Sequence, residues 1–342
     1  MLQESEPRRP PGRPRVGGVV IGRNEGARLG RSLEAAVRDF DVTVYVDSDS
    51  SDGSRELAAQ KGAIVLHMKT GPFTPSRGRQ TGLEELARNH AELEFVHFVD
   101  GDCVLQPNWL AVGLEFLEKN PQVGAVFGRR REEDLSRFYN RLMDVDWNHP
   151  SGVVMNFGGE SLARLKAVLE AGGWASGTIN AEDIDLSLRM REKGWLIQRL
   201  DEEMGLHDAR MTRFGEYWRR SVRAGYGYLE VGLRYRHGPG RFLLNRVVSS
   251  GLYGGALPIV TVAGAFLFWP AAAASGLLYL RVFTKMTRFA LQREASPGTA
   301  LGYAALNLVC KTANLVGSTR CLLDFLQGRG RPRDDLIVYR KT

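Results

Sequence analysis

Residues 95–102 read Phe95-Val96-His97-Phe98-Val99-Asp100-Gly101-Asp102, an apolar run around one His that stops at two acids one residue apart. β-Branched and aromatic residues without polar alternation predict a strand buried on both faces. Its two carboxylates then stand at the strand's carboxyl end, where open parallel sheets bind their ligands. Gly101 lets the backbone turn sharply and brings both acids toward one point. Two hard oxygen donors beside a phosphate suit Mg²⁺ or Mn²⁺, which takes one or two carboxylates together with substrate oxygens. An isolated Asp-X-Asp is equally an acidic turn after a strand, so its meaning depends on its surroundings.

Upstream, apolar runs at 16–21, 42–46 and 63–66 predict three more strands, and 123–127 a fifth, with helices between them. Asn24 is placed to cap the first helix, Pro107 to open a helix running to 119, and a further helix begins near Ser76. This alternation predicts a mostly parallel sheet with right-handed crossovers and helices on both faces. A dinucleotide-binding domain would need Gly-X-Gly-X-X-Gly after the first strand, and Gly22, Gly26 and Gly30 lack that spacing. Acidic turns close strands one, two and four. Glu25, Asp47 and the Asp100/Asp102 pair are therefore expected to face one crevice, where carboxylates can accept from base N–H groups and ribose hydroxyls.

Downstream, 161–170 predicts a helix ended by Gly172-Gly173. Asn180-Ala181-Glu182-Asp183-Ile184-Asp185 then places three acids in four positions at a helix start. The helix dipole favours acids there, and crowded carboxylates raise one another's pKa, which suits one of them to accept a proton from a hydroxyl. A strand follows at 195–200, and then a lone His207. From 207 to 246 there are nine Arg and three acids. Arg219 and Arg223, at i and i+4, share one helix face, placed either to offset charge on a leaving diphosphate or to meet anionic lipid.

The 342 residues carry a net charge of +7, which suits an anionic partner such as a nucleotide or an anionic membrane surface. Three scattered cysteines give neither a disulfide framework nor a zinc site. Residues 1–15, with four Arg and four Pro, read as a disordered basic tail. Residues 247–280 contain no charged side chain, longer than the ~20 residues of one membrane span. Pro258 and Trp269-Pro270 interrupt the run, and both flanks are basic. The positive-inside rule then sets both ends on the cytoplasmic side, which favours a helical hairpin or re-entrant segment. Residues 299–326 read as a helix lying in the interface or packed on that hairpin, the alternative for 247–326 being a soluble helical subdomain. A strand-like segment closes the chain at 336–339.

The strings VVIGRNE, VYVDSDSSDGS, FVDGD and AEDIDLSLR, in this order, resemble the inverting family-two glycosyltransferases with the GT-A fold. The resemblance implies a catalytic domain over 16–230, with a nucleotide-binding half at 16–127 and an acceptor half at 128–230, and a membrane-associated helical region over 231–342. It implies a nucleotide-diphosphate sugar donor, a UDP-sugar in the first instance, held by Asn24, Glu25, Asp47, Arg79 and Asp100, to which the reading of the basic helix adds Arg219 and Arg223. Arg77 and Gly82 match the same nucleotide-sugar segment as Arg79, and Ser48 stands where the family has a second Asp. Mg²⁺ or Mn²⁺ would be held by Asp100, Asp102 and His207, with Asp102 the principal ligand. Asp183 becomes the general base and Glu182 its neighbour. The implied reaction is transfer to a hydroxyl of a glycan or lipid-linked acceptor at the cytoplasmic membrane face, with anionic lipid and no nucleic acid among the partners. A polyprenyl-phosphate sugar synthase and a non-catalytic nucleotide-sugar-binding protein are the alternatives.

Overall fold

The computed structural model describes residues 15–178 and 180–328; the basic tail of 1–14 and the strand expected at 336–339 lie outside the described residues. The first half alternates as β1 (Val16–Gly22), α1 (Ala27–Asp39), β2 (Val42–Asp47), α2 (Ser54–Gln60), β3 (Ile64–His67), α3 (Pro75–Asn89) and β4 (Phe95–Asp100). Side chains alternate across a strand, and both faces of β1 and β4 are covered. Val16, Val20, Phe95 and Val99 join Leu29 and Leu33 of α1. Val19, Ile21, Val96 and Phe98 join Leu83 and Leu86 of α3. Gly82 keeps α3 against the sheet, because a Cβ there would collide with Val19. His97, fully buried, accepts from Trp109 Nε1 at 2.8 Å and meets Phe98 O through Nδ1 at 2.9 Å. Burial drives its pKa down to about 3, so it is a neutral core histidine.

The chain continues as β5 (Cys103–Leu105), α4 (Trp109–Lys119), β6 (Val123–Glu132), α5 (Phe138–Trp147), β7 (Gly152–Val154), β8 (Ser161–Arg164), α6 (Leu165–Glu170), α7 (Glu182–Glu192) and β9 (Leu196–His207). The sheet order is β3-β2-β1-β4-β8-β6-β9-β5, with β7 also paired to β9. Strands β3, β2, β1 and β4 are parallel, as expected. Beyond them the sheet is mixed: β8 runs antiparallel between β4 and β6, and β5 and β7 run antiparallel to β9.

Three expectations are corrected. The helix read over 161–170 is strand β8 followed by the short α6, because Leu162 and Ala163 are buried on opposite faces between β4 and β6. Asn24 does not cap α1. Its cap position is Gly26, and Asn24 Oδ1 instead accepts from Ser51 N–H at 2.8 Å. The strand expected to stop at 200 runs on to His207.

From the end of β9 to residue 328 the described chain is helical: α8 (Phe214–Arg234), α9 (Arg241–Gly251), α10 (Leu257–Leu267), α11 (Trp269–Leu291) and α12 (Pro297–Leu326). One π-helical turn joins α9 to α10, giving a continuous helix of 27 residues that is long and apolar enough to cross a membrane. It reverses at Phe268 into α11. Thr261 and Ser275 hydroxyls at 2.7 Å and Tyr279 OH donating to Tyr253 O at 2.7 Å pair the two arms. The helical pair is the hairpin expected there, except that Pro258 does not interrupt its first arm; only the turn at Phe268 does. Helix α12 packs on α11 and, more extensively, on α8, where Gly225 and Gly317 bring the backbones together and Ser318 Oγ donates to Gly225 O at 2.8 Å.

Candidate active site

The turn after β4 is fixed by space. Gly101 N–H donates to Ile21 O at 2.8 Å, and a Cβ on Gly101 would lie 3.0 Å from that oxygen. The turn thus presses on the end of β1. Antiparallel pairing of Cys103 with His207 then lays the end of β9 beside the acids. Asp102 Oδ2 and His207 Nε2 are 3.5 Å apart. His207 Nδ1 lies 2.7 Å from Glu132 Oε1, and β6–β9 pairing sets those two residues opposite each other. Trp147 stands edge-on to the imidazole at 4.7 Å.

Ligand atoms of Asp102, Cys103 and His207 lie within 4.8 Å of one another. Burial pushes the Cys103 thiol well up, which leaves a poor ligand, and pushes His207 well down, which leaves a neutral imidazole. Burial raises Glu132 to about 8, so a nearby cation would be needed to keep it the carboxylate that accepts from Nδ1–H and leaves the Nε2 lone pair facing Asp102. Two acceptors facing each other is an arrangement that a divalent cation resolves, with water and phosphate oxygens completing its shell. Asp102 and His207 therefore fit the expected metal. Asp100 is not in this group: its Oδ1 accepts from Arg79 Nη2 at 2.6 Å.

Arg79 is the joint of the site. It projects from α3, is 2% exposed, and lies over the Trp174 ring at 4.9 Å. Its other terminal nitrogen donates to Glu182 Oε1 at 2.9 Å. The acid pair after β4 and the acids opening α7 therefore share one cation. Gly159 makes room for it, since a Cβ there would strike the guanidinium. Ala181, the residue before α7, takes a left-handed φ of 65°, a costly conformation for a residue with a Cβ. It turns Glu182 inward. Burial raises Glu182 to about 7 against the opposing pull of Arg79. Asp183 is also raised by burial, while Ile184 N–H donates to its Oδ1 at 2.9 Å. Asp185 is fully buried and tied to Arg189, Arg234 and Tyr235, so the third acid anchors α7 to α8.

Glu25 lies on the same side of the site, with Oε2 accepting from Arg28 at 2.6 Å. Burial and the Asp102 charge raise it to about 7. Asp47 is fully buried at the end of β2, where Ser50 N–H and Tyr45 OH donate to it at 2.9 and 3.1 Å. Arg77 donates to Thr70 O and Pro72 O and so braces its own loop. Arg219 is exposed and its charge bears on Glu216, while Arg223 is half-buried. The cation of α8 whose charge reaches Glu132 and His207 is Arg220, which the sequence reading passed over. Two acids were also missed. Glu132 positions His207. Glu160, raised to about 7 by burial, accepts from Asp100 N–H at 3.4 Å and Arg130 Nη1 at 3.3 Å. Their only sequence signal was a charge inside or beside an apolar run.

Residues 19–173 match the family described as glycosyl transferase family 2. Asp183 and His207 lie beyond that stretch. Glucomannan 4-beta-mannosyltransferase 2 of Arabidopsis thaliana is 28% identical over 125 residues, which cover 33% of this chain and 23% of the relative. Glucomannan 4-beta-mannosyltransferase 1 of Oryza sativa subsp. japonica is 34% identical over 116 residues, 30% of this chain and 22% of the relative. The chain spans about a quarter of the length of these curated relatives. Among solved structures, a mannosyltransferase from Pyrobaculum calidifontis in complex with GDP-Man and Mn²⁺ shares the fold, with a TM-score of 0.61 and 19% identity over 91% of this chain and 88% of that one.

Proposed function

We propose, for a chain that belongs to glycosyl transferase family 2 and has the GT-A fold, that it is an inverting sugar transferase working at the cytoplasmic face of a membrane. The observation that carries this reading is the Arg79 bridge, which sets Asp100 and Glu182 on one guanidinium and so makes a single crevice of the donor-side and acceptor-side acids. The donor is a nucleoside-diphosphate sugar. Glu25, Asp47 and Asp100 face its nucleoside end, with Asn24 holding the loops behind them. A divalent cation held by Asp102 and His207 would supply charge neutralisation for the departing diphosphate. Arg220 adds a fixed positive charge on the same side, in the role first given to Arg219 and Arg223.

Asp183 accepts the proton of the acceptor hydroxyl. Its raised pKa makes it a stronger base than a solvated Asp, and the Ile184 N–H fixes its orientation. The acceptor oxygen then attacks the anomeric carbon opposite the leaving diphosphate. GDP-mannose and UDP-sugars are the first donors to screen, the former because the relatives are named mannosyltransferases and the solved neighbour holds GDP-Man. The acceptor class is a glycan or lipid-linked hydroxyl.

The deciding experiment measures nucleoside diphosphate release across GDP-, UDP- and dTDP-sugars with Mn²⁺ or Mg²⁺. If no donor turns over or binds in a metal-dependent way, the enzyme reading fails. Asp183→Asn should abolish transfer with donor binding nearly intact. Transfer to a polyprenyl phosphate that survives Asp183→Asn would instead favour a lipid-phosphate acceptor, which needs no base.

A further inference from the structure

From residue 231 to residue 293 the chain contains eight Lys or Arg and no acid. Three of these cations, Arg281, Lys285 and Arg288, stand at i, i+4 and i+7 on α11 and so share one face. All three are exposed, and none is ion-paired among the described residues. They line a groove of ≈ 650 Å³ whose apolar wall includes Leu277, Leu280 and Phe289. Thr284 and Gln292 complete the lining, and the Thr284 hydroxyl already donates to Leu280 O at 2.8 Å. A molecule with an anionic head and a hydrocarbon body would match both surfaces.

Along α11 from the groove, the hairpin tip carries the most exposed large apolar side chains among the described residues. At the hairpin tip Phe266, Leu267, Phe268 and Trp269 are 86%, 85%, 63% and 74% exposed. The tip also satisfies much of its own backbone. Phe268 N–H bonds to Gly264 O, Ala271 N–H bonds to Phe268 O, and Pro270 has no N–H to leave free. Hydrocarbon demands that economy. From Trp269 to Arg281 is twelve residues, ~18 Å of helix. Half of a ~30 Å hydrocarbon core is ~15 Å. A tip at the bilayer centre therefore brings Arg281 to the edge of the hydrocarbon and Lys285 and Arg288 beside the phosphates.

We propose that the Arg281–Lys285–Arg288 groove holds the phosphate of an anionic phospholipid where the α10–α11 hairpin enters one leaflet of the membrane. This deepens the membrane-face reading above and rests on it. The guanidinium groups pair with phosphate oxygens, and the acyl chains lie along Leu277 and Leu280. Each cation at the surface adds about fivefold to partitioning, so the three together add on the order of a hundredfold.

Flotation of the purified full chain with phosphatidylcholine vesicles, with and without phosphatidylglycerol, tests this. The triple variant Arg281→Gln, Lys285→Gln, Arg288→Gln should lose most of the preference for phosphatidylglycerol, by tens of fold or more. Its binding to phosphatidylcholine, its melting temperature and its donor turnover in detergent should hold. Arg281→Lys with Arg288→Lys should keep the preference. A triple variant that still prefers phosphatidylglycerol overturns the proposal, as does a preference abolished by soluble glycerol phosphate. Depth is read by Phe268→Cys in sealed proteoliposomes, the chain's own three cysteines being buried. A membrane-impermeant maleimide should fail to label it from either side, and labelling from the far side means that the hairpin crosses. Because turnover is measured in detergent, a failed lipid result leaves the transferase reading standing, and a failed donor screen leaves the lipid result interpretable.

Discussion

Arg79→Met would remove the one cation shared by Asp100 and Glu182 while keeping a side chain of similar reach. The native guanidinium donates at 2.6 and 2.9 Å, lies over Trp174, and is 2% exposed. Each charge-assisted bond is worth ~1.5–3 kcal/mol. The larger effect is what remains behind, a buried Glu182 without its counter-ion. Breaking a buried pair from one side costs ~3–5 kcal/mol, and that is the expected loss in urea unfolding at pH 8. The pH dependence has a definite sign. Glu182 already sits near 7, above its ordinary 4.5, and losing Arg79 raises it further. The folded state then keeps a proton that the unfolded chain releases above about 4.5, so stability falls as pH rises. The deficit of the variant should be small near pH 5 and grow through pH 8. Adding Glu182→Gln should return part of the loss, because it removes the stranded acid. A cost below ~1 kcal/mol, or a deficit that is flat from pH 5 to 8, would refute the bridge.

Glu132→Gln should weaken Mn²⁺ binding by about 10–100-fold in calorimetric titration, since Glu132 orients His207; unchanged affinity would show that the imidazole needs no such support. Gly317→Ala should destabilise the chain by ~1–3 kcal/mol, because its Cβ would press on Val222 O of α8; an unshifted melting curve would mean a looser α8–α12 contact. Glu25, pushed to about 7 by burial and Asp102, costs stability above its ordinary 4.5. Glu25→Gln should therefore gain up to ~3 kcal/mol at pH 8 and much less at pH 5. An equal gain at both pH values, in metal-free thermal unfolding, would sink that assignment.

The sequence made the parallel half of the sheet legible because β1, β2 and β4 are apolar on both faces, and burial on both faces leaves an unbroken run. It misread 161–170 because a short apolar run has no period long enough to separate strand from helix. The three-residue strands β5 and β7 leave almost no pattern, and α5 mixes charge into its apolar stripe. Within the site, Asp102, His207, Glu182 and Asp183 could be named from motif and order. Arg220 could not, because its side chain stays exposed and only the fold brings its charge within reach of Glu132 and His207. Tyr217 and Val222 fix the rotation of α8 by burying against α5 and α12. Glu132 and Glu160 were invisible for a related reason. Their partners, His207, Arg130 and Asp100, arrive from other strands, and only the β4–β8–β6–β9 pairing brings them together.

The helix the sequence did not reveal joins the two halves of the molecule. On α5, Trp147 stands against His207 and under Arg130, whose guanidinium lies 3.8 Å from the ring centre. The preceding residue, Asp146, accepts from Tyr303 OH of α12 at 2.6 Å, and Tyr303 stacks on Phe289 of α11. Phe289 also lines the cationic groove. The apolar helices are thus linked through packed rings and one hydrogen bond to the imidazole that faces Asp102. Close-packed interiors transmit displacement poorly as a gradient and well as a choice between arrangements. On the proposed reading, the helices that would meet the membrane also hold the Asp102–His207 pair in register, so the helical region forms one wall of the candidate site.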